Sequence, residues 1–267
     1  MRKKNVIILG DSFVYGHGCS DREYYVDLRG KQHGDLDTLD LGPSVNCWAS
    51  LLATELQEQI NVTNLSLPGV DNQSLLSSLC NFLDNNDNPP DLIMFNTCPG
   101  GRMLIADHVP ATIYLDKTPQ FFTKLINLED LTKSAAWRKV FKKTKVSSIM
   151  HSKDDVLTNF AGKYYHTALD VQTIMSVLLS IYCISQSYSA KFLWAPNIYC
   201  NTKTNLDLIP APLRRPVIDS RVQHISKFQT TDPNSFMAVD GHVNDMGHAT
   251  YFKTIMLPRI KAELGLT

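Results

Sequence analysis

The stretch that most constrains this chain is Val6-Ile7-Ile8-Leu9-Gly10-Asp11-Ser12. An unbroken apolar run rich in β-branched residues reads as a strand buried on both faces, the pattern of a parallel sheet. Gly10 permits a sharp backbone turn, so Ser12 is expected to sit exposed at the strand's carboxyl end. Open α/β sheets place their ligands at that edge. Ser12 is therefore a candidate nucleophile, provided that a base reaches it.

The rest of the chain repeats the same alternation of strand and helix. Residues 60–66 alternate and are β-branched, and 91–97 and 191–196 are further short apolar runs. These are read as the second, third and fourth strands. Between them, Trp48, Leu51, Leu52 and Leu56 recur at helical spacing after Ser44 or Asn46 as cap. Leu75, Leu76, Leu79, Phe82 and Leu83 do the same after Asp71 or Asn72. Residues 163–188 read as a long buried helix. Ala249, Tyr251, Phe252, Ile255, Met256 and Ile260 form the apolar face of a last helix, capped by Asn244 or Asp245. Strands alternating with helices predict an α/β fold, a single three-layer α/β/α domain on a short flavodoxin-like parallel sheet. The 267 residues suit one such domain. Residues 99–161 have no place in that minimal plan and are expected to form a mostly helical insertion that shapes or covers the site.

Composition excludes some classes of partner. Twenty-six basic residues balance 26 acidic ones, so no global charge favours nucleic acid or an anionic membrane. No apolar run reaches the roughly 18 residues of a membrane span. Met1-Arg2-Lys3-Lys4 resembles the start of a secretory signal, but only about five apolar residues follow, too few for its hydrophobic region. The chain is expected to act in the cytosol. The six cysteines (Cys19, Cys47, Cys80, Cys98, Cys183, Cys200) show no metal-type spacing and are expected mostly as buried free thiols. His33 with Asp35 and Asp37 lacks a fourth ligand and reads as a solvated loop. The basic stretch from Trp137 to Lys145 reads as a solvated helix face. No cofactor or metal is expected.

A base for Ser12 is sought among the histidines. His17 lies in the glycine-rich segment Gly16-His17-Gly18 and reads as a loop or substrate-contact residue. His166 reads as a helix-surface or packing residue, and His224 has no acid at a useful offset. The block Asp240-Gly241-His242-Val243-Asn244-Asp245-Met246-Gly247-His248 offers His242 with a carboxylate two residues before it. His248 falls in the first turn of the last helix.

Four blocks occur in one order: Gly10-Asp11-Ser12, then Gly69 after Asn64-Leu65-Ser66-Leu67-Pro68, then Asn96 at a strand end, then Asp240 and His242. Together they resemble the SGNH, or GDSL-type, hydrolases and span nearly the whole chain. The resemblance implies the SGNH hydrolase fold and an acyl-serine mechanism. Ser12 would be the nucleophile, His242 its base and Asp240 the carboxylate orienting that base. The Ser12 and Gly69 N–H groups and the Asn96 side chain would form the oxyanion hole. Two blocks depart from the family pattern. Met94 and Thr97 replace the glycine and aspartate around Asn96, and the acid stands two residues before His242 instead of three. That shorter spacing resembles the alginate O-acetyltransferase relatives of the family. The implied substrate is a small-molecule or carbohydrate ester, an acetyl ester first. An O-acetyltransferase with the same residues, or a non-catalytic binding module on the same fold, is the alternative.

Overall fold

The computed structural model describes residues 2–21, 25–26, 32–33, 42–67, 70–98, 102–106, 144–148, 167–196, 211–214 and 242–267. The elements, in order, are β1 (Lys4–Leu9), α1 (Ser12–Tyr15), β2 (Tyr25–Val26), β3 (Gln32–His33), α2 (Trp48–Glu55), β4 (Ile60–Asn64) and α3 (Asn72–Asp84). There follow β5 (Leu92–Asn96), β6 (Arg102–Ala106), β7 (Thr144–Ser148), α4 (Thr167–Ser187), β8 (Lys191–Ala195), α5 (Ala211–Arg214), α6 (Asp245–Tyr251) and α7 (Leu257–Leu264).

Four strands form the central sheet in the order β4-β1-β5-β8, all parallel. Their side chains alternate between two cores, as the two-residue period of a strand requires. Val6, Ile8, Leu92, Met94 and Leu193 face α2 and the C-terminal helices, packing with Trp48, Leu52, Phe252, Met256 and Ile260. Ile7, Leu9, Ile93, Phe95 and Phe192 face α3 and α4, packing with Leu75, Leu79, Val177, Leu178 and Ile181. With apolar layers on both faces, β1 and β5 are buried almost throughout, which is why they read as unbroken apolar runs. The architecture is thus the three-layer α/β/α sandwich expected. The strand order reverses between β1 and β5, and a crevice at that switch point, outside the carboxyl ends, is where such sheets bind ligands.

The helix caps are specific. The Asp71 carboxylate accepts from Ser74 N at 2.8 Å and starts α3. Asn244 starts α6 by accepting from Gly247 N at 3.0 Å. Removing the first of these caps by Asp71→Ala is expected to lower stability by about 1 kcal/mol in urea unfolding. At α2 the expected cap is replaced: Cys47 occupies the position without a side-chain bond. Ser44 instead accepts from Asn46 N in the turn before it. The last helix is interrupted by a π turn over Phe252–Met256, immediately before Pro258. Proline has no N–H to give to the preceding turn, so the ladder shifts register there.

Other expectations change. The described part of 99–161 is strand: β6 and β7 pair antiparallel, from Arg102↔Ser148 to Ala106↔Thr144. Val146, facing the run Met103-Leu104-Ile105, supplies apolar and β-branched residues suited to such a pair. The rest of that segment, including residues 137–143, lies outside the described residues. α4 buries one face only; Val177, Leu178 and Ile181 are buried while Ser176, Leu179 and Cys183 are exposed. Cys19, Cys47 and Cys98 are buried free thiols, but Cys80 and Cys183 are exposed on helix faces. His33 pairs with Tyr25 in a short antiparallel bridge. Asp35, Asp37, His166, Cys200 and His224 lie outside the described residues. No described helix is long and apolar enough to cross a membrane.

Candidate active site

The position of Ser12 follows from the end of β1. The Asp11 carboxylate accepts from Phe13 N at 3.1 Å and caps the single turn of α1, which makes Ser12 its first residue. Gly16 ends the turn at φ +83°, a conformation favouring glycine, and its N–H returns to Ser12 O. Ser12 is thereby held at the carboxyl edge of the sheet, but it is buried and not exposed as expected, at 3% exposure, because its own helical turn and His242 cover it. Asp11, 1% exposed, acts as the cap that turns strand into helix.

His242 meets Ser12 from the other end of the chain. Its Nε2 lies 2.9 Å from Ser12 Oγ, across 230 residues of sequence. Two rings from the segment that carries Ser12 stack on the imidazole. Phe13 has its centroid 4.8 Å away and His17 4.7 Å away, with interplanar angles of 29° and 19°. Close packing of backbone completes the approach. A Cβ on Gly18 would lie 2.7 Å from both His242 Cβ and Val243 O, so only glycine fits there without movement.

A carboxylate clip joins the same two segments. Asp245, three residues after His242, accepts from both the N–H and the hydroxyl of Ser20. Burial pushes the Asp245 pKa up, but these bonds, with help from the Cys19 thiol, outweigh it and hold the carboxyl below its ordinary value. Cys19 itself is pushed well up, chiefly by burial. Asp21 in turn accepts from Ser44 Oγ and from Val45 N. Cys19, Asp21 and Asp245 lie close enough to offer three ligand atoms to a metal ion. The two carboxylates accept from Ser20, Ser44 and Val45, so the set ties together the segments that carry Ser20, Ser44 and His242.

His248 lies beneath the site. It is 2% exposed, and its Nδ1 accepts from Trp48 N at 3.3 Å. The neutral ring must then carry its proton on Nε2. Burial pushes its pKa down to about 4; the Asp245 and Asp21 carboxylates pull the other way and lose, and His242 adds to the depression. The unfolded chain takes up this proton near pH 6.5 and the folded chain only near 4, so acid favours unfolding between those values. Stability measured by urea melts is expected to be full above about pH 6.5 and to fall by on the order of 3 kcal/mol on the way to pH 4. His248→Asn, which keeps an acceptor for Trp48 N, should flatten that part of the profile.

The other expected site residues are placed unevenly. Asn96 ends β5 and, one residue beyond the Leu9↔Phe95 pair, stands beside Gly10. It is half-buried and pairs in register with Ala195. The backbone just after it is fixed by Asn72, whose amide accepts from Cys98 N at 2.7 Å and donates to Cys98 O at 3.3 Å. Gly69 and Asp240 lie outside the described residues. The structure thus brings Ser12 and His242 together, with Asn96 on the neighbouring strand end. Sequence reasoning missed the rings of Phe13 and His17 on His242, the Asp245–Ser20 clip and the Asn72 brace. No signal in the sequence pointed to them, because each depends on a contact between segments far apart in the chain.

No family model matches the sequence, and no curated protein does. Solved structures do match in shape. Several of these solved structures are described as esterases. Esterase EstA from Pseudoalteromonas sp. is similar with a TM-score of 0.49 and 12% identity, covering 98% of this chain and 100% of that one. TesA gives 0.49 and 13% identity over 97% of this chain and 99% of that one. A member of the lipolytic G-D-S-L family from Veillonella parvula gives 0.41 and 14% identity, covering 94% of each. At such identities the functional reading has to stand on the geometry of the site itself.

Proposed function

We propose that this protein hydrolyses a carboxylic ester through an acyl-serine intermediate. The observation that carries the reading is the 2.9 Å approach of His242 Nε2 to Ser12 Oγ at the carboxyl edge of a parallel sheet. A serine hydroxyl is a weak nucleophile at neutral pH, and a histidine positioned to take its proton removes that limitation. With its own proton on Nδ1, His242 accepts the Ser12 proton as Oγ attacks the ester carbonyl. It then gives that proton to the departing alcohol, and the same ring activates the water that releases the acyl group. Asp240 is proposed to hold Nδ1–H, and the Ser12 N–H, Gly69 N–H and Asn96 amide to stabilise the oxyanion. Each such donor is worth roughly 10²- to 10³-fold in rate.

The substrate class this reading favours is a short-chain ester, an acetyl group on a carbohydrate first. Acyl transfer to a sugar hydroxyl is the second reading, on the Asp240-Gly241-His242 spacing; product analysis with a sugar acceptor present separates the two. The direct test is a panel of p-nitrophenyl esters from acetyl to octanoyl, on wild type and Ser12→Ala. Short chains should turn over in wild type, and a fluorophosphonate should label Ser12. A protein that neither reacts with the probe nor hydrolyses any ester would be a binding module on the same fold.

A further inference from the structure

We infer that His17 is a positioning residue: its ring, together with that of Phe13, sets the plane in which the His242 imidazole lies and so keeps Nε2 on Ser12 Oγ. This rests on the reading of Ser12 and His242 as a catalytic pair. An imidazole hangs from two soft torsions, and hydrogen bonds at its nitrogens lie in the ring plane and leave the ring free to tilt about the line that joins them. Rings stacked on it at 4.7 and 4.8 Å, within 19° and 29° of parallel, oppose the tilt. They act on the ring plane and leave both nitrogens, at its edge, available for proton transfer.

The chain path makes this support move with the nucleophile. His17 N donates to Ser12 O at 3.0 Å, as Gly16 N does, so the ring that orients the base is anchored to the residue that attacks. Phe13 and His17 stand four residues apart along the same turn. A displacement of that turn would carry nucleophile and support together, and preserve their relation to His242. The next residue, Gly18, lets the His242 backbone come close enough for the stack to form. When His242 takes the Ser12 proton it becomes a cation, and the π-face of Phe13 stacked on it is attractive. A phenyl ring would serve both purposes, whereas a methyl group would serve neither.

The test compares His17→Ala and His17→Phe with wild type and Ser12→Ala, each first shown to be folded by circular dichroism. Steady-state hydrolysis of p-nitrophenyl acetate and the rate of fluorophosphonate labelling are the two readouts. His17→Ala is expected to lower kcat about tenfold with KM within about twofold, and to slow labelling in parallel, while His17→Phe stays within about threefold of wild type. Wild-type kcat in His17→Ala would overturn the inference. So would a raised KM at unchanged kcat, which is the signature of a substrate contact, or a His17→Phe protein as impaired as His17→Ala. If wild type resists the probe, or Ser12→Ala hydrolyses as fast as wild type, the serine reading has failed and this inference goes with it.

Discussion

A Ser12→Ala protein is expected to hydrolyse a short-chain ester at least about 10⁴-fold more slowly than wild type, measured as kcat. The size of the loss follows from what the hydroxyl does. In the proposed mechanism it supplies the atom that forms the covalent intermediate, so its removal removes the step itself. His242→Ala should fall within about an order of magnitude of Ser12→Ala, because an unassisted hydroxyl attacks slowly. The double variant should be no slower than the worse single one, since two residues that act as one unit are not additive. Folding should survive. Ser12 is buried, and the hydrogen bond between its Oγ and His242 is worth about 1 kcal/mol. A Ser12→Ala protein with wild-type kcat would show that the approach of Ser12 to His242 is structural only.

The parts of the fold that were legible are those whose physics is local. β1, β5 and β8 are covered by helices on both faces, so their apolar runs are continuous and bounded by turn residues. The stripes of α3 and the C-terminal helices follow from burying one face against the sheet. Ser12 was legible because a serine after a buried strand and a glycine has one place to go. What could not be read depends on contacts between distant segments. His17 reads as a loop or substrate-contact residue because nothing in positions 16–18 announces a ring 225 residues further on. Asp245 competed with Asn244 for one cap; Asn244 takes it, and Asp245 is released to bond Ser20. β6 and β7 are separated by a long segment, and a strand whose partner is that remote carries no hairpin signal.

Gly18→Ala is expected to reduce kcat about 100-fold although residue 18 carries no reacting group. The added Cβ would stand 2.7 Å from His242 Cβ, 2.7 Å from Val243 O and 3.0 Å from His242 C. Two of those three atoms are backbone, so no flexible side-chain end can swing aside to relieve the contact. Either the turn after α1 or the segment carrying His242 must back away by several tenths of an ångström. The Ser20 bonds to Asp245 resist separation of the two segments, and the stack of Phe13 and His17 resists rotation of the ring. The displacement is therefore directed into the 2.9 Å contact between Nε2 and Oγ, the one distance on which proton transfer depends. Overpacking of this kind should also lower stability by about 1–3 kcal/mol. Urea melts at neutral pH measure that part separately, so a protein that is folded at the assay temperature yet slow in kcat isolates the geometric effect. Full activity in a folded Gly18→Ala protein would mean that the serine and histidine tolerate a looser approach than the packing implies. The placement of the base would then belong to residues before His242 in the chain.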